Sequence, residues 1–227
     1  MTALTVYMAA QPRPTTRTEL AALGLIPPLA PEEALAVERG RNSFGRTGCA
    51  ACHMPGLTLN VSVFSEPSRN PSYRDALFPA GQNPLAQGVD PALAISFDLT
   101  RDQPDNVIVD AFGNVVFRLG SLRTDSQGRA VVELFGDLKR HDMGPRLAET
   151  IDEVGTGPST FMTENLWGVG TTAPYLHDGR ATTLAEAILL HGGEAEQARS
   201  TFALMPTSEQ KDLIAFLVDL VLFKLPE

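Results

Sequence analysis

The sequence predicts a mainly α-helical domain with a long loop insert and a small antiparallel β excursion. Three observations support this class. Helix-start signals and apolar stripes occur near both ends of the 227-residue chain, which is long enough for one large domain. Residues 60–106 are interrupted repeatedly by proline. Short valine-rich runs follow between residues 106 and 135.

The first helical segment lies in residues 1–14 and ends in the sequence QPRP. A second is predicted over residues 31–44. There Pro31 suits the first turn, and two glutamates follow where the helix dipole favours negative charge. We expect residues 1–30 to be a linker or the remnant of a preceding domain, and residues 31–227 to form the main domain.

The middle of the chain combines the loop with short strands. Loops as long as residues 60–106 are uncommon and either wrap a functional surface or lack fixed structure. The runs NVIVD, NVVFRL and AVVELF are typical of strands, and AFGN and DSQGR are typical of the turns between them. The prolines of the loop are at positions 67, 71, 79, 84, 91 and 104.

Two helices are predicted near the C-terminus. The sequence TTLAEAILLHGG opens with a capping box of Thr183 and Glu186, three residues apart. The sequence TSEQKDLIAFLVDLVLF opens in a similar way with Thr207 and Gln210. Its predicted core stripe is Leu213, Phe216, Leu217 and Leu220.

Charge and hydropathy exclude two classes of partner. The formal net charge of -9 would repel a phosphate backbone, so we expect no nucleic-acid binding. The most apolar run, LIAFLVDLVLF, contains Asp219 and is too short to span a bilayer. Residues 1–14 lack the basic start and the long apolar core of a secretory signal.

Cys49 and Cys52 are the only cysteines, and His53 follows directly. The pair alone would permit a redox dithiol, and a catalytic thiol could use His53 as its activator. A structural zinc site would require a second pair of ligands. The C-x-x-C-H motif uses all three residues, because two thioethers hold a haem c while the histidine coordinates its iron. We favour this interpretation, with one covalent haem in a cytochrome c-like domain.

Covalent haem attachment in bacteria takes place outside the cytoplasm. We therefore expect a periplasmic protein whose signal peptide is not part of this sequence. The sixth iron ligand would be a histidine or methionine in an electron-transfer haem. Met54 is too close to His53 to reach the other face. The remaining candidates are His141, His177, His191, Met143, Met162 and Met205.

His191 follows Leu184, Ala187 and Ile188 at helical spacing, so it would end a buried apolar stripe. His177 lies in a turn sequence and could hydrogen-bond that turn or a haem propionate. His141 and Met143 lie together in LKRHDMGPR and are the main rivals of His191. Composition and spacing do not decide among these segments.

Several motifs together resemble the C-terminal haem domain of the bacterial di-haem oxidoreductases. This family of peroxidase-like or thiol oxidoreductase-like proteins is related to the di-haem cytochrome c peroxidases. The resemblance covers residues 31–223 and is weakest over residues 60–135. Its most specific part is TAPYLHDGRATTLAEAI, and the other motifs are CAACH, LKRHDMGPRLAE, LWGVGTTAPYLHDGRATTLAEAILLHGGEA and SEQKDLIAFLVDL.

The resemblance implies that His191, 14 residues after His177, closes the haem. Ligation by His53 and His191 would give a low-spin haem that relays electrons and does not bind peroxide. Family members have a second C-x-x-C-H motif, which this sequence lacks. Residues 1–30 would then be the remnant of a preceding haem domain, and the activity of this chain alone is open.

Further side chains are candidates for contacts with a haem. Arg180, Arg140 and Arg146 flank the motifs and could neutralise propionates, although each is also an ordinary surface residue type. Trp167 could pack on the porphyrin or in the core. Asp142 and Asp178 could orient a histidine or hold a metal ion such as calcium, but we favour a turn-stabilising role for both.

Two functions follow from these observations. The favoured one is an electron-transfer domain of a peroxidase-like oxidoreductase, whose partner is an electron donor protein or a second haem domain. The alternative is a free-standing monohaem cytochrome or haem sensor without catalysis.

Overall fold

The computed structural model describes residues 2–68, 94–101, 107–109, 111–118, 120–152 and 155–222. Within these residues helices dominate both ends of the chain, and short strands occupy its middle. The helices are α1 (Thr2–Ala9), α2 (Arg17–Ala22), α3 (Pro31–Thr47), α4 (Leu184–Leu190), α5 (Glu196–Leu204) and α6 (Thr207–Asp219).

The strands form five small antiparallel groups within the described residues: β1 with β11, β3 with β4, β5 with β6, β9 with β10, and a three-stranded sheet in the order β2-β8-β7. Their bounds are β1 Thr15–Thr16, β2 Leu57–Thr58, β3 Val63–Glu66, β4 Ile95–Asp98, β5 Val107–Val109, β6 Val115–Arg118, β7 Arg123–Thr124, β8 Ala130–Val132, β9 Arg140–Asp142, β10 Thr160–Met162 and β11 Leu220–Val221.

The chain divides into two compact units. The strand unit comprises Met1–Arg13 and Thr58–Val132, and the helical unit comprises Pro14–Leu57 and Glu133–Glu227. Every side chain that the sequence predicts for a haem site belongs to the helical unit. The division at Pro14 falls inside the predicted linker of residues 1–30, whose role as a linker stays a prediction.

The core of the helical unit is built where α3 crosses α6. A methyl group on Gly40 of α3 would lie 1.9 Å from the carbonyl oxygen of Asp212 and 2.8 Å from Cβ of Phe216. The absence of a side chain at Gly40 therefore sets the distance between the two helices. Arg39 and Asp212 join the same pair of helices by an ion pair with a 2.7 Å contact.

Three aromatic rings fill the space beside this crossing. Phe44 lies 5.3 Å from Phe216 and 6.2 Å from Phe135, measured between ring centroids, and Phe135 lies 5.9 Å from Phe216. All three side chains are buried. Tilted and edge-on pairs of this kind stabilise a core beyond the area that they bury.

The start of the helical unit is fastened to its last helix. Asp219 at the end of α6 accepts hydrogen bonds from the Thr18 backbone N–H at 2.8 Å and from its hydroxyl at 2.9 Å. Next to this contact, β1 and β11 form an antiparallel strand pair, with Thr15 opposite Val221 and Thr16 opposite Leu220.

Most of the predicted elements are present. Helices occur in residues 1–14 and 31–44, and Thr183 and Glu186 form the predicted capping box of α4. Within the predicted runs NVIVD and NVVFRL, Val107–Val109 and Val115–Arg118 form the antiparallel pair β5 and β6. The predicted core stripe of α6 is buried at all four positions. The mainly α class with a small antiparallel β excursion is therefore confirmed within the described residues.

Three details of the prediction are wrong. Part of the predicted loop is regular, because Val63–Glu66 pairs with Ile95–Asp98. The α6 helix begins after Pro206 without a side-chain cap, and Gln210 donates instead to the carbonyls of Phe202 and Met205. Helix α4 ends at Leu190, so His191 follows the helix. Of the loop prolines, those at 71, 79, 84, 91 and 104 lie outside the described residues.

None of the described helices combines the length and the apolar character that a bilayer crossing requires.

The close approach of α3 and α6 predicts opposite effects for two glycines of one helix. Gly40→Ala should lower the free energy of unfolding by about 1–3 kcal/mol, because the added methyl would overlap the backbone of α6. Gly45→Ala is the matched control. No atom lies within 4 Å of its added methyl, so alanine should stabilise the helix by up to about 1 kcal/mol. Urea denaturation measures both, and equal effects would contradict this packing.

Candidate functional site

The cysteine motif begins where α3 ends. Gly48 ends the helix in the left-handed conformation, with φ of 94°, which a glycine adopts without strain. A single 3-10 turn, Cys49–Ala51, follows, and the His53 N–H donates to the carbonyl of Cys49 at 2.9 Å. The motif is thus a short continuation of a helix that the core holds in place.

The His53 ring is oriented by a backbone carbonyl. Its Nδ1 donates to the carbonyl oxygen of Phe135 at 3.1 Å. Because a carbonyl only accepts, the neutral ring keeps its lone pair on Nε2. Burial lowers the pKa of His53, although the bond to Phe135 opposes this, so the ring favours its neutral form. A neutral imidazole with a free lone pair on Nε2 suits a metal ligand.

Phe135 holds that carbonyl in an unusual backbone conformation. Its φ is 50°, in the left-handed region that costs a non-glycine residue about 1–3 kcal/mol. The Phe135 side chain is buried against Phe44, and the following Gly136 N–H donates to the carbonyl of Met54 at 3.1 Å. Packing on one side and a hydrogen bond on the other thus maintain the conformation that presents its carbonyl to His53.

The two thiols have no activated character. Burial raises the pKa of Cys49 to about 11. Burial also raises the pKa of Cys52, and the carboxylates of Asp137 and Glu194 raise it further. Reactive cysteines need a lowered pKa, so these environments do not favour a nucleophile or a redox dithiol.

His191 repeats the arrangement of His53. Its Nδ1 donates to the carbonyl of Ala187 at 2.7 Å, which leaves the lone pair on Nε2, and burial lowers its pKa. It caps the end of α4 and does not continue the apolar stripe within the helix. A charge on His191 would lower the pKa of His53, so the two rings lie within electrostatic reach of each other.

His141 has a different environment. Its Nδ1 contacts a Glu194 oxygen at 2.8 Å, and its Nε2 contacts an Asp137 oxygen at 3.0 Å. The hydrogen bonds with Glu194 and Asp137 raise the pKa of His141. Burial alone would raise the pKa of Asp137, but hydrogen bonds from the Lys139 N–H and from His141 bring it down to about 2. His141 is therefore an imidazolium between two carboxylates, with no lone pair for a metal.

The other ligand candidates are engaged elsewhere or exposed. His177 stacks on Phe161 with ring centroids 4.5 Å apart. Met162 is exposed, whereas Met205 packs against the core and accepts a 3.9 Å contact from the Thr47 hydroxyl. Met143 is half-buried, and its backbone N–H donates to Ser159.

The predicted propionate partners form contacts within the protein. Arg180 pairs with Asp178 and also donates to the carbonyl of Arg146 at 2.6 Å. Arg146 donates to the carbonyl of Leu189 at 3.3 Å, near the end of α4. Arg140 lies exposed on β9. Their roles toward propionates stay predictions.

Trp167 is half-buried and donates its indole N–H to the carbonyl of Glu133 at 2.6 Å. This bond fixes one edge of the ring. Packing of the indole on a porphyrin stays a prediction.

Asp142 and Asp178 both support turns. Asp142 accepts the Gly144 N–H at 2.8 Å, and Asp178 accepts the Arg180 N–H at 3.1 Å. Over the part of the chain that the structure describes, no group of three or more His, Cys, Asp or Glu side chains is placed to hold a metal ion. A calcium site at these residues stays a prediction.

Two imidazoles that favour the neutral form, each with its Nδ1 on a backbone carbonyl, and two unactivated thiols form a donor set that fits a haem c. Comparison with known families bears on this. The family model described as "Di-haem oxidoreductase, putative peroxidase" matches residues 107–220, half of the chain. The chain belongs to the di-haem oxidoreductase family.

Membership of the di-haem oxidoreductase family confirms the predicted resemblance and implies haem binding and a peroxidase-like oxidoreductase role. The matched segment includes His141 and His191 but begins after the cysteine motif, which lies outside it. Searches of curated proteins and of solved structures gave no match.

Sequence reasoning missed three residues of this region: Phe135, Asp137 and Glu194. A backbone carbonyl in a left-handed conformation leaves no signal in a single sequence. Asp137 could in principle have been predicted from the sequence, because it lies four residues before His141. Glu194 could not, because it is distant in sequence and is brought close to His141 only by the fold.

The raised pKa of Cys49 predicts slow alkylation in protein expressed without haem. With a pKa of about 11, the thiol stays protonated at pH 8, so iodoacetamide should modify it at least about tenfold more slowly than an ordinary exposed cysteine. The Cys52→Ala variant isolates Cys49, and mass spectrometry follows the reaction from pH 7 to 11. Rapid modification at pH 7 would contradict the structure and would favour a redox dithiol or a catalytic thiol instead.

Proposed function

We propose that the helical unit is a cytochrome c-like domain that relays electrons through one covalently attached haem. The observation that carries this proposal is the pair of half-buried histidines, His53 and His191. Each ring donates a hydrogen bond from its Nδ1–H to a backbone carbonyl, and burial lowers its pKa and so favours the neutral form. A hydrogen bond from one ring nitrogen fixes the imidazole so that its other nitrogen can bind a metal.

Each residue of the site has a separate task. Cys49 and Cys52 would hold the haem through thioethers, and His53 and His191 would be the ligands of its iron. When bound, the haem supplies one-electron chemistry. The Phe135 and Ala187 carbonyls fix the rings and make them more basic, and the aromatic group at Phe44 excludes water from the His53 side.

Ligation by two histidines supports relay and not catalysis at this site. An iron with protein ligands on both faces has no open position for peroxide. The peroxidase-like chemistry of the family would then belong to a second haem domain, and the partner of this chain is that domain or an electron donor protein. Covalent haem attachment also places the protein in the periplasm under this proposal.

His191→Ala should convert a low-spin haem to a high-spin one, because the iron loses its sixth ligand. Met143→Leu is the control and should leave the low-spin spectrum intact. Absorption and electron paramagnetic resonance spectra of the purified haem protein measure both variants. If Met143→Leu changes the spin state while His191→Ala does not, the ligand assignment is wrong.

Protein made in cells with a cytochrome c maturation system should carry the mass of one haem after denaturation. The Cys49→Ala/Cys52→Ala double variant should lose the haem under the same conditions, because no thioether remains. Intact-protein mass spectrometry distinguishes them. A wild-type protein without added mass would exclude covalent attachment and leave a haem-free thiol protein as the alternative.

A further inference from the structure

His141 lies at a junction between the two segments that support the proposed ligands. Asp137, which contacts its Nε2, lies two residues after Phe135, whose carbonyl orients His53. Glu194, which contacts its Nδ1, lies three residues after His191. One imidazole ring therefore connects the support of one proposed ligand to the chain that carries the other.

Both carboxylates are held firmly. The second oxygen of Asp137 accepts the Lys139 N–H at 2.9 Å, and the second oxygen of Glu194 accepts the Asp142 N–H at 2.9 Å. The Asp137 side chain is only 3% exposed, and that of His141 is 16% exposed. Hydrogen bonds to the charged Asp137 in this buried setting are stronger than those at the surface, whereas the Glu194 side chain is 55% exposed.

The backbone at this junction is packed without room for side chains. A methyl group on Gly193 would lie 2.1 Å from the carbonyl oxygen of Asp142, and one on Gly192 would lie 2.9 Å from that of Met143. The end of β9 therefore rests directly on the turn after His191. A shift of β9 would be passed on to that turn.

The same charges reach the proposed haem site. The carboxylate of Asp137 acts on both Cys52 and His53, and that of Glu194 acts on Cys52. The positive ring of His141 balances one of these two negative charges. Without it, two carboxylates would face each other, one of them buried, which is unfavourable.

We propose that His141 is a positioning residue, whose imidazolium clamps Asp137 to Glu194 and so holds His53 and His191 at the separation that one iron requires. This inference rests on the proposed haem function but concerns a residue that does not bind the iron. It assigns a role to the histidine of LKRHDMGPR, the main rival of His191 as a ligand.

The test is the ease with which an external ligand displaces His191. In His141→Gln the clamp loses its charge and one of its two hydrogen bonds, so cyanide should bind the oxidised haem protein roughly tenfold faster than in wild type. Without cyanide the spectrum should stay low-spin. His177→Gln is the matched control, since it changes a histidine near Glu149 and Asp178 outside the clamp, and its rate should equal that of wild type.

The outcomes separate this inference from the proposed function. If His141→Gln stays low-spin and binds cyanide at the wild-type rate, the clamp is overturned while the haem proposal stands. If His141→Gln alone becomes high-spin and His191→Ala does not, His141 is itself the ligand, so the clamp and the assignment of His191 both fail while covalent haem binding stands.

Two further measurements test the clamp if the His141→Gln variant does not fold. Asp137→Asn keeps the shape of the clamp but removes one charge, and it should speed cyanide binding in the same direction. In the reduced wild-type protein, nitrogen NMR should show both His141 nitrogens protonated at pH 6. An unprotonated nitrogen there would overturn the clamp without any substitution.

Discussion

The structure depends on the contact between α3 and α6 at Gly40. Because no side chain separates the two backbones there, α3 is held in one position against α6, which supplies Leu213, Phe216 and Leu217 to the core. The cysteine motif continues from the last residue of α3, so the same contact fixes where Cys49, Cys52 and His53 lie. The aromatic rings of Phe44, Phe135 and Phe216 then join this helix pair to the carbonyl that orients His53.

Hydrogen-bond acceptors divide three histidines of the helical unit into two kinds. His53 and His191 lie among apolar groups with a carbonyl as their partner, so desolvation decides and both favour the neutral form. His141 is also largely buried, but two carboxylates outweigh desolvation and favour its charged form. The same side chain can thus supply a lone pair or a fixed positive charge, according to the acceptors that the fold provides.

The sequence was sufficient for the elements whose signals are local. The capping box of Thr183 and Glu186, the stripe of α6 and the turn-flanked strands depend on neighbouring residues, and all are present. The C-x-x-C-H motif could also be recognised from neighbouring residues alone. Predictions failed where tertiary contacts compete with local preference. Gln210 has the spacing of a capping residue, but the carbonyls at the end of α5 are better placed to accept its amide protons.

Only part of the site could be predicted from the sequence, for the same reason. The sequence predicted His191 at the end of an apolar stripe within a helix, but α4 ends one residue before it, and the partner carbonyl, of Ala187, belongs to the last turn of α4. The clamp of Asp137, His141 and Glu194 depends on the contact of glycine-rich segments about fifty residues apart, and no pattern in one sequence encodes that meeting.

The pairing of residues 15–16 with 220–221 has a consequence for how such a module can be combined with others. Adjacent strands lie about 4.8 Å apart, so the first and last strands of the helical unit lie side by side. A unit with adjoining entry and exit can be spliced into a longer chain as a cassette without pulling its interior apart.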